Sequence, residues 1–302
     1  MIDHDDIEAA AARVAGHVRP VTVAPAGERR WFALEFLQHT GTFKARGALN
    51  FLAERREAGV LPDAGVAIAS GGNAGLACAW AAAREGVTAT VFVPETAPAV
   101  KVARLRRLGA DVRQVGREYA EAAAACAEFT AGSGALASHA YDHPLIAAGA
   151  GTLLTEIVAV RPGVRRVVVA VGGGGLFSGV AAAAARHGIE VVAVEPEHCR
   201  ALDAALAAGE PVDVAVDSVA ADSLGARRVS AEALYWAQQP HTTSVLVTDE
   251  AIETERRRLW TDHHLVVEHA AAAALAGAPD TDDETCVVLC GANTDPTDLT
   301  TA

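Results

Sequence analysis

The chain has 302 residues, 51% of them hydrophobic, which is long enough for a large buried core and for two domains. Lys and Arg number 25 against 38 Asp and Glu, so the formal net charge is −13. This charge argues against a nucleic-acid partner or an anionic membrane surface, since both require a basic footprint.

The sequence also predicts a soluble, cytoplasmic protein. No apolar run approaches the roughly 18 residues that span a bilayer. The first ten residues, MIDHDDIEAA, are acidic, unlike the basic start of a secretory signal peptide. The five cysteines are odd in number, scattered and without a C-x-x-C pair, so neither a disulfide framework nor a zinc site is indicated.

Short β-rich segments alternate with longer, alanine-rich helical segments along the chain. Apolar strands joined by helices predict a mostly parallel sheet that is covered on both faces. The predicted segments, strand first in each pair, are 65–70 with 73–86, 88–93 with 98–109, 111–116 with 118–132, 165–175 with 176–188, and 190–196 with 199–209, followed by strands at 244–248 and 286–290. One small sheet does not hold so many units, so two domains are expected.

Three unusual turns follow predicted strands, where open α/β sheets collect their ligands. They are SGGN at 70–73, GGGG at 172–175 and CGAN at 290–293. Successive glycines let backbone N–H groups approach an anion, and the next helix adds a favourable dipole, so GGGG predicts a phosphate site. The alternatives are a tight turn without a ligand and a dinucleotide fingerprint, for which Glu195 would bind the ribose. The other phosphate signature, G-x-x-x-x-G-K-[ST], is absent from the sequence.

The SGGN turn and Lys44 add two further functional groups. SGGN offers backbone donors, the Ser70 hydroxyl and the Asn73 amide at a helix start, which suits a carboxylate, although a capped helix explains the same residues. Lys44 lies between a glycine-bearing turn and an apolar helical run, and is either a surface lysine or a nucleophilic amine. A lysine amine, a phosphate site and a carboxylate site together indicate pyridoxal phosphate chemistry, in which the lysine forms a Schiff base.

Several motifs then resemble one family in the same chain order. LEFLQHTGTFKARGA (34–48) resembles the lysine motif of the fold-type II pyridoxal-phosphate enzymes, in the serine/threonine dehydratase branch. Residues 70–112 resemble the family's next conserved region along the chain, especially in liver-type serine dehydratases. VGGGGLFSGV (171–180) is similar to the family's phosphate loop, SLGA (223–226) to a cofactor-facing loop, and CGAN to its closing motif. The likeness extends from about Trp31 to Asn293.

The resemblance implies roles for individual residues. Lys44 would be the catalytic residue and bind pyridoxal 5'-phosphate as a Schiff base, Phe43 would lie against its ring, and Asn73 would hydrogen-bond the ring hydroxyl. The phosphate would be held by Gly172, Gly173, Gly174, Gly175 and Leu176. The substrate carboxylate would be held by Ser70, Gly71, Asn73 and Ala74. Cys290 would face the pyridine nitrogen, where the family uses serine, threonine or cysteine.

Two of these positions bear on the type of reaction. The Cys290 thiol is a weak hydrogen-bond donor and would leave the pyridine nitrogen neutral. A neutral nitrogen favours loss of a β-leaving group over transamination and racemisation. The alternative is that Cys290 is a buried structural cysteine. Gly71 stands where serine racemases of this family have a serine that acts as a second acid/base. Racemisation is therefore not expected as the main activity.

The sequence also departs from the family pattern. AGAGT has Ala150 where glutamine is usual, and EHAAA keeps Glu268 but has His269 where proline is usual. We expect His269 to begin a helix, with substrate contact as the alternative. The acid that would complete a divalent-metal site with Glu195 in racemase relatives is Ala201 here, so no metal is predicted.

The predicted fold is the α/β architecture of fold type II, tryptophan synthase β-like, with two open parallel-sheet, three-layer domains and the cofactor in the cleft between them. Residues 1–40 and 142–302 would form the large domain, and 41–141 the small domain inserted into it. The predicted activity is that of an ammonia-lyase, converting L-threonine, L-serine or a related β-hydroxy amino acid to a 2-oxo acid and ammonia. The alternatives are β-replacement of the cysteine synthase type, a nicotinamide-dependent oxidoreductase and a non-catalytic cofactor-binding relative. A homodimer is expected.

Overall fold

The computed structural model describes residues 1–300 as two β-sheets surrounded by helices. The strands within this range are β1 (Val23–Pro25), β2 (Arg30–Ala33), β3 (Val66–Ala69), β4 (Ala89–Val93), β5 (Asp111–Gln114), β6 (Leu136–Ala137), β7 (Arg166–Ala170), β8 (Glu190–Pro196), β9 (Thr242–Val247) and β10 (Thr285–Val288). The helices are α1 (His4–Val14), α2 (Lys44–Glu57), α3 (Asn73–Arg84), α4 (Ala99–Arg107), α5 (Tyr119–Ser133), α6 (Pro144–Val160), α7 (Gly175–His187), α8 (Ala201–Ala208), α9 (Ala221–Leu224), α10 (Ala231–Ala237), α11 (Asp249–His263), α12 (His269–Ala276) and α13 (Thr297–Thr300). Two 3-10 turns, Glu35–Leu37 and His39–Gly41, precede α2.

The larger sheet has the strand order β1-β2-β10-β7-β8-β9, and the smaller sheet has the order β5-β4-β3-β6. All neighbouring pairs are parallel except β1 and β2, which are antiparallel at one edge of the larger sheet. The prediction of an α/β fold with two open, mostly parallel sheets is therefore confirmed. Within residues 1–300, no helix combines the length and the hydropathy that a membrane span requires.

The central strands are buried because their side chains are apolar on both faces. Strands β7 and β8 pair through valines such as Val167 with Val191, and both of these residues are fully buried. Strand β8 spans the residues that the sequence predicts, whereas β1, β2 and β6 were not predicted. The strands of the smaller sheet all lie between residues 66 and 137, and the strands of the larger sheet lie outside that range. The domain borders at 41 and 141 stay a prediction.

Helix α2 packs very closely against α6. A Cβ atom on Gly149 would lie 2.7 Å from the carbonyl oxygen of Arg46 and 2.7 Å from the Cα atom of Gly47. Any larger side chain at position 149 would push the two helices apart. Gly47 and Gly149 thus let the helix that begins at Lys44 pack directly against α6.

A buried ion cluster joins these two helices to the turn before α2. Arg46 Nε lies 2.6 Å from Glu35, and Arg46 Nη1 lies 2.7 Å from Glu156 and 3.2 Å from the Thr152 hydroxyl. The side chains of Arg46 and Glu35 are completely buried. Burial raises the pKa of Glu35, and the positive charge of Arg46 partly offsets this. Burial by itself would lower the pKa of Arg46, but the two carboxylates outweigh it and raise the pKa, so the guanidinium stays charged.

We expect Arg46→Met to lower the free energy of unfolding by about 3–5 kcal/mol, because Glu35 would then be buried without its counter-charge. Urea denaturation followed by circular dichroism measures this change. The matched control is Arg56→Met on the same helix. Arg56 pairs with Glu85 at the surface, and losing such a pair costs about 1 kcal/mol or less. Equal losses in the two variants would contradict the importance of the buried cluster.

Candidate active site

The backbone before α2 places Lys44 beside the CGAN turn. Thr42 forms an isolated bridge with Gly291, and the N–H of Phe43 donates to the carbonyl oxygen of Cys290 at 3.0 Å. Helix α2 then begins at Lys44. The two segments, separated by about 250 residues in sequence, are thus fixed side by side by main-chain hydrogen bonds.

One cavity at this point brings together all nine residues that the sequence predicts to bind the cofactor. Its predicted lining residues are Phe43, Lys44, Asn73, Gly172, Gly173, Gly174, Gly175, Leu176 and Cys290. Ser223 and Leu224 of the SLGA loop, Glu268 and Tyr141 also line it. Tyr141 was not predicted, because its neighbours in sequence carry no motif of this kind. The roles of all these residues stay predictions.

The Lys44 amine lies inside the protein rather than on its surface. Nζ donates to the carbonyl oxygen of Ala140 at 3.2 Å and lies 4.8 Å from the centre of the Phe43 ring. Burial lowers the pKa of Lys44, and nearby Cys290 and Glu268 partly offset this. The chain has only two lysines, Lys44 and Lys101, among its 25 basic residues. Arginine stays protonated at any accessible pH, so only a lysine can supply a neutral amine in this cavity.

The glycine loop leaves no room for side chains. A Cβ atom on Gly173 would lie 2.3 Å from ring atoms of Tyr141, and one on Gly174, which has φ +95°, would lie 2.3 Å from the Ala233 Cβ. The loop leads into the 13-residue helix α7, whose first-turn N–H groups have no acceptors within the helix. Backbone donors at the start of a helix suit a phosphate group.

Cys290 and Glu268 form the polar part of the cavity near Lys44. Burial raises the pKa of the Cys290 thiol to about 12, so it remains neutral at physiological pH. Burial also raises the pKa of Glu268, while hydrogen bonds from Asn73 and the Asn293 N–H partly offset this. A buried amine, a phosphate loop and a neutral thiol in one cavity fit pyridoxal phosphate, which has an aldehyde, a phosphate and a pyridine nitrogen.

A line of hydrogen bonds connects the SGGN turn to the CGAN turn. Asn73 Nδ2 donates to both carboxylate oxygens of Glu268, at 2.8 and 3.0 Å. Asn293 Nδ2 donates to Asn73 Oδ1 at 2.7 Å, and the Asn293 N–H donates to Glu268 at 2.9 Å. Asn293 was named only as the end of the CGAN motif, and its central position in this line was not predicted.

The residues predicted to bind the substrate carboxylate surround the same turn. Gly71 lines a cavity next to Asn73, and Ala74 lines a small cavity behind Lys44. The Ser70 hydroxyl accepts a hydrogen bond from the Gly72 N–H at 3.4 Å, within its own turn. Asn73, Gly71 and Ala74 therefore lie together at the start of α3, and Ser70 precedes them.

The structure also places the residues that depart from the family pattern. Ala150 is buried and lines the small cavity behind Lys44. His269 is the first residue of α12, as predicted, and burial lowers its pKa. The buried Glu195 carboxylate accepts hydrogen bonds from the N–H groups of Leu202 and Asp203, so it caps the first turn of α8.

Comparison with known proteins gives consistent matches over most of the chain. Residues 19–291 match the family model described as "Pyridoxal-phosphate dependent enzyme". An L-threonine ammonia-lyase of Geobacter sulfurreducens is 35% identical over 272 residues, covering 88% of this chain and 67% of that protein. A serine dehydratase-like protein of Homo sapiens is 35% identical over 255 residues, covering 83% of this chain and 77% of that protein. The structure of the processed form of threonine deaminase isoform 2 from Solanum lycopersicum superposes with a TM-score of 0.90 at 26% identity, covering 99% of this chain and 88% of that one.

We expect Gly173→Ala to weaken pyridoxal phosphate binding at least tenfold, because the new methyl group would displace the Tyr141 ring or the loop itself. Titration of the protein freed of cofactor, followed by visible absorbance, measures the dissociation constant. Gly132→Ala is the matched control, since a Cβ there meets no atom within 4 Å. Similar dissociation constants for both variants would argue against the loop as the phosphate site.

The lowered pKa of Lys44 predicts a pH-dependent effect on stability without cofactor. Between this lowered pKa and the ordinary value of 10.5, the unfolded chain binds more protons than the folded one, so stability rises with pH. Below the lowered pKa, the folded state bears the full cost of burying an ammonium group. Thermal melting of Lys44→Met and its parent should therefore diverge in favour of the variant as the pH falls from about 10 to about 7. If the difference in melting temperature between the two proteins did not change with pH, the Lys44 amine would have to be solvated.

Proposed function

Because this chain belongs to the family of pyridoxal-phosphate dependent enzymes, we propose that it eliminates water from L-threonine, L-serine or a related β-hydroxy amino acid. The products are a 2-oxo acid and ammonia. The cofactor is pyridoxal 5'-phosphate. The observation that carries the proposal is the single cavity in which Lys44, the glycine loop and Cys290 meet.

When bound, pyridoxal phosphate withdraws electrons from the Cα atom of an attached amino acid and so acidifies its proton. Gly172–Leu176 would hold the phosphate through backbone N–H groups, and Phe43 would lie against the ring. Asn73 would donate to the ring hydroxyl. Cys290 would contact the pyridine nitrogen, and Lys44 would attach the cofactor covalently.

Lys44 is the residue that moves the proton in this proposal. Lys44 would act through its free amine, and burial, which lowers the pKa of Lys44, favours the neutral form that can accept a proton. The neutral Nζ takes the Cα proton of the substrate. Loss of the β-hydroxyl as water would consume one proton, equal to the one that Nζ removes from Cα, and the released enamine would tautomerise and react with water to give the 2-oxo acid and ammonia.

Cys290 and the SGGN turn direct the reaction toward elimination. The neutral thiol at Cys290 provides no negative charge to stabilise a protonated pyridine nitrogen, so a long-lived carbanion is disfavoured. The start of α3, at Ser70, Gly71, Asn73 and Ala74, would hold the substrate carboxylate through backbone donors. Gly71 carries no side chain that could return a proton to the face opposite Lys44.

We also propose that the protein works in the cytoplasm. All five cysteines are free and buried in the part of the chain that the structure describes, which suits a reducing compartment. The homodimer stays a prediction that a mass measurement in solution tests.

The purified protein with its cofactor should form 2-oxo acid from L-threonine or L-serine, measured by a coupled assay that consumes the 2-oxo acid. Lys44→Met should lower the rate by at least a thousandfold while the variant stays folded, because both the covalent attachment and the base are lost. Borohydride reduction followed by peptide mass spectrometry should place the cofactor on Lys44. Lys101, the other lysine of the chain, is the internal control. Cofactor binding without 2-oxo acid from any β-hydroxy amino acid would overturn the proposal.

A further inference from the structure

Helix α4 (Ala99–Arg107) directs two basic residues toward the SGGN turn. Its buried residues Val102 and Leu105 face the core, and the Leu105 side chain would lie 3.4 Å from a Cβ on Gly75 in α3. Helix α4 therefore packs against the first turn of α3. Lys101 and Arg104, three residues apart and so on one face of the helix, are half-buried, whereas Arg106 is exposed.

Lys101 and Arg104 line a second cavity together with the turn that is proposed to hold the substrate carboxylate. The cavity is formed in part by Gly71, Gly72 and Asn73 of that turn, and by Asn293. Asn73 lines this cavity and also the cofactor cavity. An anion at the start of α3 would therefore lie between the cofactor and helix α4.

The two basic residues differ in how their charges are balanced. Lys101 Nζ lies 2.7 Å from Asp222 in α9. Arg104 donates instead to the neutral Oδ1 of Asn293, and among residues 1–300 no carboxylate lies within 4.0 Å of its guanidinium nitrogens. A ligand carboxylate would supply the missing negative charge.

We propose that Arg104 binds the carboxylate of the amino-acid substrate at the start of α3; this rests on the proposed function. The backbone N–H groups of the turn hold the carboxylate from one side, and the guanidinium closes over it from the other. Planar guanidinium groups match carboxylates through two parallel hydrogen bonds, which are stronger than a bond to a neutral amide oxygen. Arg104 therefore exchanges Asn293 for the substrate.

Asn293, the present partner of Arg104, also contacts a residue of the cofactor cavity. Asn293 Nδ2 donates to Asn73 Oδ1, and Asn73 Nδ2 donates to Glu268. When Arg104 leaves Asn293 Oδ1, the Asn293 amide loses the contact that holds it from the side of α4. Asn73, the proposed partner of the cofactor ring hydroxyl, is the next residue in this line.

Steady-state kinetics of Arg104→Gln with L-threonine or L-serine test the proposal. We expect KM to rise about tenfold to a hundredfold, with kcat changed by less than about threefold, because a charged hydrogen bond made in the ground state is lost. Arg104→Lys should recover part of the affinity, since the charge is kept and the planar geometry is lost. Arg106→Gln, an exposed position on the same helix, should leave KM unchanged.

A binding measurement separates charge recognition from a general structural effect. L-alanine has no β-leaving group, so its affinity for the cofactor-loaded protein can be measured by calorimetry without turnover. Arg104→Gln should weaken L-alanine binding by a similar factor and leave L-alaninamide, which lacks the carboxylate, nearly unaffected. Equal weakening of both ligands, or of neither, would overturn the proposal. L-aspartate, titrated in the same way, tests for recognition of a side-chain carboxylate. If Arg104→Gln weakened the binding of L-aspartate alone, the proposal would also be overturned.

These outcomes differ from a failure of the proposed function. If the wild-type protein forms no 2-oxo acid from any β-hydroxy amino acid, the elimination reaction itself is wrong. If the wild type is active and Arg104→Gln keeps the wild-type KM, only the role of Arg104 is wrong. Melting temperatures within a few degrees of the wild type show that the variants are folded, and Arg104→Lys provides the same test if Arg104→Gln does not fold.

Discussion

The position of the Lys44 amine depends on the buried ion cluster formed by Arg46, Glu35 and Glu156. Helix α2 begins at Lys44 without a side-chain cap, so its first turn is not fixed by the usual local hydrogen bond. Arg46, two residues later, is instead held by a carboxylate from the preceding turn and by one from α6. Buried ion pairs often add little net stability compared with apolar residues, but they disfavour arrangements in which the charges separate. The cluster therefore selects one orientation of the helix that carries the amine.

The second constraint is the line of hydrogen bonds between the two sheets. Asn73 follows β3 of the smaller sheet, whereas Glu268 and Asn293 flank α12 and β10 beside the larger one. Because the Glu268 carboxylate accepts from Asn73 Nδ2, and Asn293 donates to Asn73 Oδ1, the amide can adopt only one of its two flipped orientations. Asn73 Nδ2, which donates to Glu268, therefore lies in the cavity that the cofactor is proposed to occupy. The hydrogen bonds that join the two sheets thus also fix the orientation of the Asn73 amide.

The sequence predicted those features whose signals are local. Glycine runs at the ends of apolar strands, and a lysine before a helical run, can be recognised from the neighbouring residues alone. Strand β1 escaped prediction because it is only three residues long and contains Pro25. Tyr141 and Arg104 reach the site only through tertiary packing, on segments whose sequences suggest a surface loop and a basic helix face. The ion cluster of Arg46 joins residues up to 110 positions apart, and charge patterns along a sequence do not reveal such pairs.

The packing around Gly71 bears on why this site would favour one reaction. A second acid/base on the face opposite Lys44 would need a side chain at position 71. A Cβ atom on Gly71 would lie 3.2 Å from Val93 Cγ1, which is closer than ordinary van der Waals contact. Val93 is fully buried at the end of β4, so its side chain would have to shift by a few tenths of an ångström within a packed core. Val93, at the end of β4, thus limits the space for a side chain at position 71. In the proposed reaction, Lys44 would then be the only acid/base beside the Cα atom, which favours elimination of the β-hydroxyl over racemisation.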